Sequence, residues 1–120
     1  MSRFTSWFLA TAVAFTVLAC AGAPKPEARL VSSESAIRGA EEAGAGTVPQ
    51  ATLHLKLAQE QREQAVELIK HDENHRASMM LARAEADAEL AVALSRAAAA
   101  QAAAAHAQES VQTLKTKDAQ

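Results

Sequence analysis

The residues that could carry chemistry are a single cysteine, Cys20, and four histidines, of which His71 and His75 are four positions apart. A cysteine thiolate can act as a nucleophile, bind a metal or take a covalent modification. Histidines at positions i and i+4 of one helix can share a zinc ion. An intrachain disulfide is excluded, because there is no second cysteine to pair with. The chemistry of each candidate depends on the segment that positions it.

Cys20 closes an apolar segment at the N-terminus. Arg3 is the only charged residue before it, and the sixteen residues that follow Arg3 are mostly apolar and end in small side chains. A basic start followed by such a stretch is typical of a signal peptide. As a helix, sixteen residues would rise about 24 Å, less than the roughly 30 Å hydrocarbon core of a bilayer. We therefore predict a removable leader over residues 1–19 in preference to a permanent transmembrane helix.

The four residues that end this segment, Val17-Leu18-Ala19-Cys20, resemble the bacterial lipobox. Leu18 stands where alanine or serine is commoner. The resemblance implies that Cys20 becomes the first residue of the mature protein, diacylated on sulfur and acylated on nitrogen. Each buried methylene of an acyl chain contributes about 0.8 kcal/mol, so three chains anchor a protein firmly. The predicted partner of Cys20 is thus the lipid bilayer; a buried free cysteine is the alternative.

Residues 20–29 contain small residues and two prolines without apolar periodicity, which predicts a flexible tether. Ala21 follows the cysteine. In enterobacterial lipoproteins an aspartate at that position signals retention at the inner membrane. By that resemblance, we expect the protein at the periplasmic face of the outer membrane.

The predicted mature chain has 101 residues, with 11 Lys and Arg against 14 Asp and Glu. It has no tyrosine, and Trp7 and every phenylalanine lie in the leader. Its core must therefore consist of Leu, Ile, Val, Met and above all Ala. The charges are interspersed and form no basic stripe with aromatic residues, so we expect no nucleic-acid partner. We also expect no cofactor.

Three amphipathic helices are predicted over residues 30–43, 49–70 and from 75 to beyond 111, with fraying from Thr113. Gly44 and Gly46 end the first helix, and Pro49 suits the first turn of the second. Asp72 or Asn74 can cap the third. The expected fold is all-α: an antiparallel three-helix bundle or helical hairpin with coiled-coil character, in which residues 30–120 form one domain.

The third helix should present two apolar lines to the shorter helices. The first consists of Ala77, Met80, Leu81, Ala84, Ala88, Ala91 and Val92, and the second of Met79, Ala86, Leu90, Ala93 and Leu94. Beyond them, residues 97–105 are alanine except for Gln101, which favours helix but offers little surface to bury. We expect residues 97–120 to protrude from the bundle as a helical tail.

Polar residues at helical spacing predict local pairs. Glu34 and Arg38 should form an i,i+4 ion pair. Asp87 should pair with Arg83, either at the rim or as a buried pair that specifies conformation. The spacing of His71 and His75 spans the predicted helix break and no third ligand has a fixed position, so a solvated turn is preferred over a metal site.

Three stretches resemble a family of bacterial lipoprotein domains, the domain of unknown function four-three-nine-eight. They are residues 33–45, residues 55–58 after Pro49, and residues 83–91, within a similarity that covers about residues 30–95. In that family the domain often follows a lipobox and sometimes precedes an OmpA-like peptidoglycan-binding domain, which we do not expect here. The family's usual Gly-Asp-Tyr-like turn is replaced by residues 71–74. The resemblance implies a helical envelope domain without catalytic residues.

The functional expectation is a lipid-anchored structural or interaction module of the envelope. A periplasmic module for a small molecule or metal is the alternative, and an enzyme is not expected, because no nucleophile, base and oxyanion donor occur together. The small residues Ala91, Ala98, Ala102 and Ala105 form one narrow line that would let a second helix approach closely. This line is the predicted face for self-association or for docking of another envelope protein.

Overall fold

The computed structural model describes residues 22–119, and this part of the chain is helical without strands. Helix α1 spans Glu27–Glu42, a short 3-10 turn spans Ala45–Thr47, α2 spans Pro49–Lys70 and α3 spans Asn74–Asp118. The predicted all-α class with a long C-terminal helix is confirmed. Among these described helices, none combines the length and apolarity that crossing a bilayer requires.

The connection between α1 and α2 follows the residues that predict it. Gly44 has φ of 79° and follows the end of α1, a left-handed conformation that glycine adopts without steric cost. Pro49 occupies the first turn of α2, whose bounds agree with the prediction. The Thr52 hydroxyl in α2 donates to the Ala45 carbonyl in the 3-10 turn over 2.8 Å, which holds the turn against the start of α2.

Helix α1 begins earlier than the apolar pattern predicts. It starts at Glu27, directly after Pro26, and the Leu30 amide donates to the Pro26 carbonyl over 3.0 Å. Proline fixes a helical φ without needing a donor, so it suits a helix start. The predicted tether over residues 20–29 is therefore shorter, since its last three residues are helical.

The predicted caps of α3 were wrong. Asp72 lies in the turn with φ of 59°, and no side chain caps the helix, which follows Glu73. Asn74 instead donates from Nδ2 to the Ala23 carbonyl over 2.8 Å. The amide group thus ties the segment before α1 to the start of α3.

The core lies along one line of α3 whose residues alternate at spacings of three and four. Its buried members are Asn74, Ala77, Leu81, Ala84, Ala88, Ala91 and Ser95. One end of this line packs with Ala65 and Leu30, and the other packs with Ile37, Ala51 and Leu55. Consequently α1 runs parallel to α3 and α2 runs antiparallel to both. The first predicted line is confirmed, with Met80 and Val92 at its half-buried edge.

The second predicted line on α3 is not part of the core. Met79, Ala86, Leu90 and Ala93 are exposed, and only Leu94 is half-buried. Alanines at the helix contacts leave room for α1 and α2 to share one narrow strip of α3, so its outer face stays uncovered. Leu90 is 42% exposed, although the sequence pattern places it in the core.

Helix α3 continues well past the two shorter helices. Every residue from Ala99 to Ala119 is exposed, and the helix ends at Asp118 without the predicted fraying from Thr113. Threonine hydroxyls in this last part donate to carbonyls one turn earlier, as Thr113 does to Glu109 over 2.9 Å. At about 1.5 Å per residue, the 45 residues of α3 extend roughly 67 Å.

Candidate functional site

The predicted lipidation site, Cys20, lies outside the described residues together with the leader over residues 1–19. The description begins at Gly22, two residues later. Because Ala23 accepts the hydrogen bond from Asn74, this segment lies beside the N-terminal end of α3. The protruding part of α3 lies at the opposite end of the molecule.

The two candidate metal ligands lie in different elements. His71 follows the end of α2 and is exposed, with Nε2 at 3.3 Å from Glu67 Oε1. His75 is an exposed residue in the first turn of α3. Within residues 22–119, no group of three or more His, Cys, Asp or Glu residues is arranged to hold a metal ion.

Glu67 is the acidic residue beside this turn. Its carboxylate accepts a hydrogen bond from Lys70 Nζ over 2.9 Å, in addition to the His71 contact. The Lys70 hydrogen bond and the positive charge of Lys70 hold the pKa of Glu67 below its ordinary value. The Glu67 side chain is exposed, so this pair is a solvated surface contact and adds little to folding.

A polar cluster between α2 and α3 is centred on Asp87. His54 Nδ1 lies 2.8 Å from Asp87 Oδ1, and Gln61 donates from Nε2 to Asp87 Oδ2, also over 2.8 Å. An ionised carboxylate only accepts, so the His54 Nδ1 atom carries the hydrogen. The His54 and Asp87 side chains are about one-quarter exposed, at 27% and 22%. The predicted pair with Arg83 was wrong, because partners on α2 take both carboxylate oxygens.

A histidine held by an aspartate is also part of many catalytic sites, where the other ring nitrogen activates a nucleophile. In the described residues, the hydrogen bonds of serine and threonine side chains go to backbone carbonyls and to Glu85, not to His54. The cluster therefore joins α2 to α3 through three side chains. Its geometry gives structural orientation and supplies no activated nucleophile.

The surface between α1 and α2 carries a second set of polar contacts. Arg62 donates from Nη2 to Glu34 Oε2 over 2.8 Å, and Gln59 donates to Glu41 over 2.9 Å. The predicted Glu34 pair with Arg38 was thus replaced by a contact with the next helix. These groups, together with Ile37, line a shallow depression of mixed charge. Exposed pairs of this kind contribute about 0–1 kcal/mol and mainly fix helix register.

Comparisons with family models, with curated proteins and with solved structures found no match to this chain. The resemblance to the lipoprotein domain family four-three-nine-eight therefore stays a prediction. So do the lipobox and the envelope location.

The predicted interaction face divides into two parts. Ala91 is fully buried against the shorter helices and belongs to the core. Ala98 is half-buried, whereas Ala102 and Ala105 are exposed. These three positions continue the spacing of the buried line on α3 past the end of the bundle. The next two positions on the same line are Glu109 and Gln112, so its apolar character ends at Ala105.

The outer side of the tail carries larger apolar side chains that the prediction of an interaction face overlooked. Val111 is 50% exposed and Leu114 is 61% exposed. Both lie on the same side of α3 as Leu90, at continued spacings of three and four residues. The spacing in the sequence is sufficient to predict this line. It was missed because its first members, Met79, Ala86, Leu90 and Ala93, were expected in the core.

Proposed function

We propose that this chain is a lipid-anchored protein of the bacterial envelope, held at the periplasmic face of the outer membrane, whose helical domain is a structural or interaction module without enzymatic activity. The observation that carries the proposal is the sequence of the leader, a basic start and an apolar stretch that end in Val17-Leu18-Ala19-Cys20. The family resemblance supports the same conclusion.

The arrangement of the described residues is consistent with such a module. The chain leaves the predicted anchor, passes the start of α3 at Ala23 and forms a bundle whose longest helix extends away from that end. From Asn74 to Asp118 the helix covers roughly 67 Å at about 1.5 Å per residue. An anchor at one end and an exposed helical tail at the other suit a protein that presents a surface at a distance from its lipid.

Metabolic labelling with a palmitate analogue tests the anchor. The wild-type chain should incorporate label and stay in the membrane fraction, and Cys20→Ser should lose the label, because serine offers no sulfur for the diacylglyceryl group. Leu18→Ala is the matched control: it moves the motif toward the commoner lipobox and should keep the label. Labelling that is unchanged in Cys20→Ser would refute lipidation at this residue.

Crosslinking in intact envelope, followed by purification of the adducts, tests the interaction role. The proposal expects an adduct with a defined protein, either a second copy of this chain or another envelope protein. A chain that is anchored but gives only monomer under conditions that crosslink known envelope complexes would contradict the interaction role.

A further inference from the structure

An apolar line runs along the solvent side of α3 from Met79 to Leu114, and we call it the outer seam. Its residues follow alternating spacings of four and three, and every one of them is exposed. Methionine, leucine or valine occupies four positions, Met79, Leu90, Val111 and Leu114; alanine occupies positions 86, 93, 97, 100, 104 and 107. Arg83 is its single charged member. This repeat is the pattern by which two helices pair in a coiled coil.

The outer seam is distinct from the line that packs against α1 and α2. The buried line contains Leu81, Ala84 and Ala88 and turns polar at Glu109 in the tail. After Arg83 the outer seam stays apolar to Leu114, and it holds four of the six large apolar side chains that are exposed in the described residues. A contiguous exposed apolar surface of this kind marks an interaction site on a small protein.

The charges beside the outer seam differ between its two ends. Glu89 precedes Leu90 at the end near the bundle, and Lys115 and Lys117 flank Leu114 at the far end. An antiparallel second copy therefore brings Glu89 of one seam close to Lys115 and Lys117 of the other. A parallel second copy would place Arg83 against Arg83 and would leave Glu89 without a basic partner. Charge complementarity thus selects the antiparallel arrangement.

We propose that α3 pairs with α3 of a second copy of this chain along the outer seam, antiparallel, with the two-fold axis at the level of Ala102. In this register Leu90 lies level with Leu114 of the second copy. Glu89, beside the seam, lies within about 3 Å of the level of Lys117 of the second copy, measured along the helix. Between these ends only small residues and Val111 meet, which allows close approach of the helices. Each tail then lies beside the bundle segment of the other copy.

The size of the contact sets its strength. The overlap from Ala86 to Asp118 is about 50 Å long, and a strip roughly 10 Å wide gives about 500 Å² from each copy. The total of about 1,000 Å² is at the low end for specific complexes, so the pair should be weak in free solution. Attachment to a surface would raise its effective concentration. The inference deepens the interaction role proposed above by naming the partner, and it does not require the lipid.

The test uses single cysteines in the full chain carrying Cys20→Ser, purified in mild detergent and treated with a short bis-maleimide linker. Ala103 lies beside the outer seam, one residue from the level of the axis. The two Ala103 positions are therefore only about 3 Å apart along the helix, so Ala103→Cys should crosslink to a dimer. Ala97→Cys is the matched control, an exposed alanine of the same helix. The two Ala97 positions are about 15 Å apart along the axis in this register, so this variant should crosslink several-fold less.

A charge exchange tests the register independently. In the Ala103→Cys chain, Glu89→Lys should lower the crosslinked fraction several-fold, because lysine would then lie close to Lys117 of the second copy. Adding Lys117→Glu should restore the original level, since the pair is present again with its signs reversed. Both substituted residues are exposed, so neither should disturb the fold.

Three results would overturn the proposal. They are equal crosslinking of Ala97→Cys and Ala103→Cys, stronger crosslinking of Ala102→Cys on the opposite line, and monomer at every concentration. Because these chains lack Cys20, the outcome is independent of lipidation. If Cys20→Ser loses the palmitate label and these chains stay monomeric, the lipid anchor is supported and the pairing of α3 is rejected.

Discussion

Asp87 on α3 holds the neighbouring helix α2 in position. It accepts from His54 and from Gln61, both on α2, within a cluster that is about three-quarters buried. A mostly buried acceptor with two donors is costly to remove, because the donors lose their partner as well. The cluster therefore sets the register of α2 against α3, where alanine contacts alone would allow sliding.

Replacing Asp87 by alanine should lower the free energy of unfolding by about 1–3 kcal/mol, since it leaves His54 and Gln61 without their acceptor. Urea unfolding followed by circular dichroism measures the change. Glu60→Ala is the control, because Glu60 is an exposed residue of α2 and should cost almost nothing. Equal midpoints for the two variants would show that the cluster does not stabilise the bundle.

Glu67 allows a prediction about pH. Its pKa is lowered by the Lys70 hydrogen bond and charge, so the pair's stabilisation is present above the ordinary glutamate pKa and fades as the pH falls through the lowered value. Lys70→Gln should raise the carboxyl midpoint of Glu67 in an NMR titration. Lys56→Gln, an exposed lysine of the same helix, should leave it unchanged. A midpoint that does not respond to Lys70→Gln would contradict this contact.

At the level of the helices, Leu81 and Leu90 differ although the sequence pattern treats them alike. Leu81 is fully buried, whereas Leu90 is 42% exposed on the outer seam. Leu81→Ala should lower the free energy of unfolding by about 2–4 kcal/mol, because it opens a cavity in a core with few large side chains. Leu90→Ala should cost well under half as much. Thermal melts at a low protein concentration, where self-association is suppressed, compare the two, and equal losses would refute the assignment of the faces.

Sequence predicted the elements better than their partners. Gly44 and Pro49 act through local backbone geometry, so the bounds of α2 could be predicted. The sequence could not predict which of the two apolar lines on α3 the other helices cover. Both lines have the same spacing, and only tertiary packing decides between them. The i,i+4 pairs failed for a related reason: Glu34 and Asp87 take partners 26 to 33 residues away. The lipobox resemblance rests on a local motif outside the described residues and stays a prediction.

At the level of the whole molecule, the tail beyond Gln101 should be dispensable for folding. A surface beside Val48 and Pro49 is still lined by Ala97, Ala98 and Gln101. Every described residue after Gln101 is exposed. A chain ending at Gln101 should keep a cooperative thermal transition within a few °C of the full chain and should lose any self-association. A chain ending at Ala88 is the contrasting variant, because it removes the buried Ala91 and Ser95 and should not fold.

Analytical ultracentrifugation and calorimetry of these truncated chains distinguish the role of α3 in the folded core from its role in self-association. Failure of the chain ending at Gln101 to fold would place the tail in the core. Self-association that persists in a folded truncated chain would show that the contact does not use the outer seam of the tail.

The intact mass of the protein extracted from membranes tests the proposed lipid anchor most directly. We expect a chain that begins at Cys20, lacks residues 1–19 and carries the added mass of a diacylglyceryl group on sulfur and an acyl group on nitrogen. A mass that corresponds to the unprocessed 120-residue chain, or to a processed chain with an unmodified cysteine, would contradict it.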